Sequence, residues 1–224
     1  PGETPSVNDA YESIHAAIST PDREKLQTEF KKRVEALGEM GFVRALMGGQ
    51  YAHPNGFSWG GDEPVWSHNT AEKILTHEAQ RADDVTIIEY HSGLGPYGYG
   101  MAVCMQAGDA LEHSRSLFGR WLVAPRSAPG ETHGATGHTT DGYSRFLEGK
   151  RLSSIVLEFG TYPPSVSLPV LLDDHWQTFH GDRDTATAIH LKNLEMHAPD
   201  DSEWRRSICE RSRQVLRQAL APYR

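Results

Sequence analysis

Cysteine is nearly absent, with Cys104 and Cys209 alone in 224 residues. Two thiols build no disulfide framework and their spacing is no zinc pattern, so a reducing, cytoplasmic setting is the expectation. Basic residues are also scarce: 22 Lys and Arg against 30 Asp and Glu leave a net charge of −8. A nucleic-acid surface needs clustered excess Lys and Arg, so that class of partner is excluded. No apolar run approaches the ~20 residues of a membrane span, which argues against a membrane partner. Signal-peptide features, heptads, internal repeats and low-complexity tails are missing too. What is present is a hydrophobic content of 38% and a charged content of 23%, ordinary for a globular protein. The length suits one domain over residues 1–224 with a real core.

Helical periodicity comes first along the chain. Val7, Tyr11, Ile14 and Ile18 fall on one helix face with Ser6 or Asn8 as its cap. Thr20, Pro21 and Asp22 restart a helix whose inner face is Leu26, Phe30, Val34 and Leu37, with Gly38 as its stop. Residues 48–64 are dense in glycine, proline and aromatics and predict a structured loop. A helix over 67–80 follows, with Ile74 and Leu75 inward. Later come a helix through Leu111 and Leu117, an apolar run at 121–124, helix signals from Pro163, and a terminal helix over about 202–221. That last helix places Trp204, Ile208, Val215, Leu216, Ala219 and Leu220 inward, and Asp200 and Asp201 suit its positive amino end.

Chemistry concentrates in two short strands. Val85, Thr86, Ile87 and Ile88 form an apolar, β-favouring run that leads into Glu89, Tyr90 and His91, and then into glycines that should end the regular structure. The run over 154–157 is similar and is interrupted by Glu158 before Phe159, Gly160 and Thr161. Ligand sites in open α/β sheets gather beyond the carboxyl ends of strands. A carboxylate at the end of a buried strand must be paired, hydrated or functional. His91 and Glu158 are therefore the candidate site residues, and Glu89, two residues before His91, shares its side of the strand.

The segments EYHSGLGPYGYG and LEFGTYP resemble the third metal-ligand motif and the catalytic-glutamate motif of zinc carboxypeptidase-like proteins, in a bacterial branch long classed as a domain of unknown function. GGQYAHPNGFSWGGDEPVWS, LPVLLDDHW and APDDSEWRRSICERSRQVLRQAL extend the likeness through nearly the whole chain from Gly48. The resemblance implies a zinc held by two ligands from an H-x-x-E motif and by His91 as the third, with Glu158 as the general base. It also implies Glu89 as the partner that orients His91, where the family usually has Asp; Ser92 stands where it usually has Thr. No histidine in this chain has a glutamate three residues on, and Glu12 with His15 shows only the reversed spacing. The expectation that follows is a chain forming the carboxyl-terminal two-thirds of a longer catalytic domain, unable to hold a catalytic zinc by itself.

Two other patterns compete. Gly93, Gly95 and Gly98 spell G-x-G-x-x-G after a strand, but Pro96 and Gly100 interrupt the helix that a dinucleotide turn requires. Residues 125–144 are rich in breakers and contain Glu131, His133, His138 and Asp141; without a helix or strand to orient them they predict a mobile flap rather than a metal site. The combined expectation is a three-layer α/β/α domain with a mixed sheet. Its function is zinc-dependent hydrolysis of an amide or peptide bond in a peptide or an acylated amino-acid-like small substrate. The alternative is a non-catalytic binding or scaffold domain that has lost the metal. Tyr97 and Tyr99 adjoin the site without an assignable role.

Overall fold

The computed structural model describes residues 8–127 and 138–223. In chain order the elements are α1 (Asp9–Ile18), α2 (Arg23–Leu37), α3 (Glu39–Met47), α4 (Trp66–Glu78), β1 (Asp84–Tyr97), β2 (Gly100–Val103) and α5 (Gly108–Phe118). They continue with α6 (Thr139–Phe146), β3 (Arg151–Gly160), α7 (Pro164–His180), α8 (Arg183–His197) and α9 (Ser202–Leu220). No helix among the described residues is long and apolar enough to cross a membrane. The described residues fall into two compact units.

One unit, residues 8–63 and 162–197, is helical. Asn8 caps α1 by accepting from the Tyr11 N–H, and Asp22 caps α2 by accepting from the Lys25 N–H, as their residue types favour. Tyr11, Ile14 and Ile18 of α1 pack with Leu26 of α2, Phe42 and Leu46 of α3, and Leu168 and Leu172 of α7. Leu37, expected on the inner face of α2, is exposed instead. The α2 face narrows there because Gly38, at φ 70°, turns the chain into α3, a helix with no strong sequence signal. In the loop after α3 a buried Gln50 donates to the His53 and Phe57 carbonyls and accepts from the His53 N–H. One side chain thereby satisfies three backbone groups, and this fixes the loop.

The other unit, residues 64–127, 138–161 and 198–223, holds a three-stranded mixed sheet in the order β1-β3-β2. β1 runs parallel to the central β3, and β2 antiparallel to it. Side chains alternate across β3. Ile155, Leu157 and Phe159 pack with Leu111 and Phe118 of α5 and Trp204, Val215 and Ala219 of α9. Leu152, with Val85 and Ile87 of β1, packs towards Leu75 of α4 and Tyr143 and Phe146 of α6. Helices thus cover both faces of the sheet, and the α/β class with a mixed sheet is as the sequence predicts. β3 is buried on both faces, which explains why its sequence reads as a continuous apolar run.

Several local expectations are corrected. The glycines after His91 do not end β1, which continues to Tyr97 and stays paired with β3, with a register irregularity between Gly93 and Tyr97. Gly93, at φ 145°, makes that continuation possible in a conformation that L side chains rarely adopt. Ile74 of α4 and Leu216 and Leu220 of α9 are exposed, and Trp121 is 98% exposed. Helical period places Ile74, Leu216 and Leu220 near an apolar face that the rest of the unit leaves uncovered, and Trp121 sits in a turn after α5. The end of the breaker-rich stretch is helical: His138 caps α6 through its ring Nδ1, which accepts from the Thr140 N–H.

Candidate active site

The parallel register of β1 and β3 pairs His91 with Glu158. Strand alternation puts Glu89, His91 and Glu158 on the sheet face shared with α6. Glu158 lies near the carboxyl end of β3, whereas Glu89 and His91 lie midway along β1, because that strand runs on to Tyr97.

Each side chain is held. His91 Nε2 lies 2.6 Å from Glu89 Oε1, a contact that the longer glutamate side chain reaches. The other Glu89 oxygen accepts a 2.6 Å hydrogen bond from the Thr139 hydroxyl at the start of α6. Glu158 Oε1 accepts from the Leu94 N–H at 3.1 Å, while its Oε2 lies 3.8 Å from His91 Nδ1. The two carboxylates are largely enclosed, with side-chain exposures of 19% for Glu89 and 14% for Glu158, against 40% for His91. The site therefore opens to solvent at the imidazole.

Electrostatics follow from this enclosure. The hydrogen bond to the Glu89 carboxylate raises the His91 pKa above its ordinary value; burial opposes this, and the charges of Glu89 and Glu158 add to it. Burial pushes Glu89 up, but hydrogen bonds from His91 and Thr139 outweigh it and hold the carboxyl below its usual range. Burial lowers His138, against the opposing charges of Glu89 and Asp141. Tyr143 is raised, first by burial and then by the Glu89 charge.

The remaining sequence candidates separate. Glu131 and His133 lie outside the described residues. Asp141 forms a two-pronged pair with Arg126 at 2.6 and 2.8 Å, which accounts for it as a structural anion. Tyr97 donates to Asp201 at 2.8 Å, and Asp201 caps α9, so this tyrosine braces the end of β1. The Gly93, Gly95 and Gly98 stretch leads into β2 and not a helix, unlike a dinucleotide turn. Among the described residues no three His, Cys, Asp or Glu side chains gather in a way that could hold a metal ion.

Thr139 and the Leu94 N–H were not foreseen. A threonine in a breaker-rich stretch carries no signal that it faces a strand 50 residues earlier. The only trace is its place at the first turn of α6.

A family model described as "Protein of unknown function (DUF2817)" matches residues 2–211. The chain belongs to that family. No curated protein and no solved structure matches this DUF2817 chain. The match covers both compact units, so the His91–Glu158 rim and the helical unit are both family territory.

Proposed function

We propose that the rim formed by Glu89, His91 and Glu158 belongs to a zinc-dependent hydrolase of amide or peptide bonds, of the carboxypeptidase-like kind that the sequence resembles. The observation that carries the reading is the carboxylate on His91 Nε2. A metal-binding histidine characteristically gives one ring nitrogen to a carboxylate or carbonyl and keeps the other for the metal. Here the nitrogen left over is Nδ1, on the side of Glu158.

The donor set fits such a centre in part. His91 is one neutral-imidazole ligand, whereas a catalytic zinc normally has three protein ligands; the others are not gathered among the described residues. When bound, the zinc would supply a water acidified towards a pKa of ~7 and a polarised scissile carbonyl. The residues of this chain do the rest. Glu89 fixes the tautomer and angle of His91. Glu158, steadied by the Leu94 N–H, takes the proton of the attacking water on Oε2 and passes it to the leaving nitrogen. The open His91 side admits a peptide or an acylated amino-acid-like small substrate.

A second reading, a non-catalytic binding domain, keeps the same rim as a purely structural contact, since both Glu158 oxygens already have a neighbour in Leu94 and His91. Glu158→Gln in the natural protein separates the two. Under the hydrolase reading it retains zinc and fold and lowers turnover of an N-acyl amino acid or peptide by at least ~10²-fold. Near-normal turnover in that variant overturns the assignment of Glu158.

A further inference from the structure

The helical unit contains a cleft of about 430 Å³ bounded by α1, the loop after α3, and α7. That volume is in the range of small-ligand sites, ~300–1,000 Å³. His15, His53, His175 and His180 line it, together with Trp176 and Phe179. Four imidazoles and no carboxylate form this lining, in a chain whose Asp and Glu outnumber its Lys and Arg by 30 to 22. The titratable side chains that line the cleft are all histidines, and the adjacent carboxylate, Glu12, is engaged by His53 Nε2.

The rings are held but not saturated. His15 and His53 stack with centroids 3.5 Å apart and planes 15° apart. His53 Nε2 lies 2.9 and 3.1 Å from the Glu12 oxygens, and His15 Nδ1 lies 3.1 Å from the Ser19 hydroxyl and 3.4 Å from that of Tyr11. Each ring keeps its second nitrogen without a hydrogen-bond partner among the described residues. His175 lies between Phe57 and Phe179, at centroid distances of 5.3 and 4.9 Å; the Asn55 backbone accepts a hydrogen bond from the ring, and its Nε2 is buried with no hydrogen-bond partner. An unpartnered buried polar atom beside a cleft calls for an explanation. No three ligating side chains converge here, so a metal ion does not provide one.

We propose that this cleft binds a small aromatic carboxylate, its ring against Trp176 and Phe179 and its carboxylate hydrogen-bonded by the imidazoles. An aromatic body suits the apolar wall, and a carboxylate can accept from several N–H groups at once. Burial holds both His15 and His175 below their ordinary pKa. An arriving anion favours their protonation, so binding strengthens as the pH falls. The charged and titratable groups that face these rings are Glu12 and Tyr11 on α1, His53 on the loop, and Asp174 and His180 on α7. Arg23 lies over the Trp176 ring, 5.6 Å from its centroid.

Phenylacetate is the probe, with 2-phenylethanol supplying the same body without charge and acetate the head without the body. Calorimetry and imidazole C–H NMR on the whole chain read the outcome. Saturable 1:1 phenylacetate binding is expected, with the resonances of His15, His53 and His175 shifting. The alcohol and acetate should each bind at least ~10-fold more weakly, the usual scale for a charge-assisted contact or a buried ring. Phenylacetate should bind more tightly at pH 6.0 than at pH 7.5. His53→Asn and Phe179→Ala should each weaken it about tenfold. If either variant misfolds, the comparison of acid with alcohol in the unaltered chain still decides. Equal binding of the alcohol, shifts confined to other histidines, or no saturation overturns the proposal.

Discussion

His91 and Glu158 are direct cross-strand partners in the parallel register of β1 and β3, with His91 Nδ1 3.8 Å from Glu158 Oε2. Sixty-seven residues separate them in sequence, and only this register brings them together. A one-residue slip would send every β1 side chain to the opposite face and part them. Their approach is therefore as firm as the β1–β3 ladder itself.

Glu89 is the support on which the zinc reading depends. Glu89→Ala should lower zinc affinity or turnover by about 10–100-fold, the range seen when the carboxylate behind a ligating histidine is removed. Thr139→Val, which removes only the hydroxyl on Glu89 Oε2, should have a smaller effect in the same direction, and Thr139→Ser should restore it. Zinc titration and turnover measure both. Loss of function in the valine variant without rescue by serine would assign the threonine to packing alone.

Gly160 sits where the end of β3 meets the bend in β1. A Cβ there would collide with the Pro96 and Gly95 carbonyl oxygens, which are backbone and cannot rotate away. Gly160→Ala should therefore displace the 93–97 segment, lose the Leu94 hydrogen bond to Glu158, and destabilise the unit by about 1–3 kcal/mol, the cost of overpacking. Urea unfolding reads the stability, and amide exchange at Leu94 reads the displacement.

The corrected face of α9, set against the buried strand β3, gives a stability contrast. Leu157 is fully buried in the sheet core, whereas Leu216 is 45% exposed. Leu157→Ala should cost about 2–5 kcal/mol and Leu216→Ala under about 1 kcal/mol. Similar losses at both positions would mean that α9 buries a wider face than the structure shows.

Acid should loosen the helical unit through its buried imidazoles. Burial lowers His175 in the folded state, so its stabilising contribution is complete above the unfolded pKa of ~6.5 and is lost as the pH falls through the lower folded value. His175→Phe, an apolar ring between Phe57 and Phe179, should remove that contribution. The variant should lose less stability than the unaltered chain between pH 7 and pH 5 in urea melts. Equal losses would show that His175 does not titrate against folding.

Elements whose signals are local are legible in the chain before it folds. Asn8, Asp22 and Asp201 cap helices because a short polar side chain can reach an N–H within three residues. The Glu89–His91 contact was also legible, since strand period alone puts them on one side. Tertiary structure decided the rest. It paired His91 with Glu158 through register, and it let β1 run on through Gly93 because β3 continued to offer hydrogen bonds. It brought Thr139 to Glu89 by laying α6 on the sheet. It also gathered His15, His53 and His175 around one cleft from three elements that individually carry no chemical signal. Hydrogen-bond partners and burial depend on what arrives from elsewhere in the chain, and no local pattern specifies that.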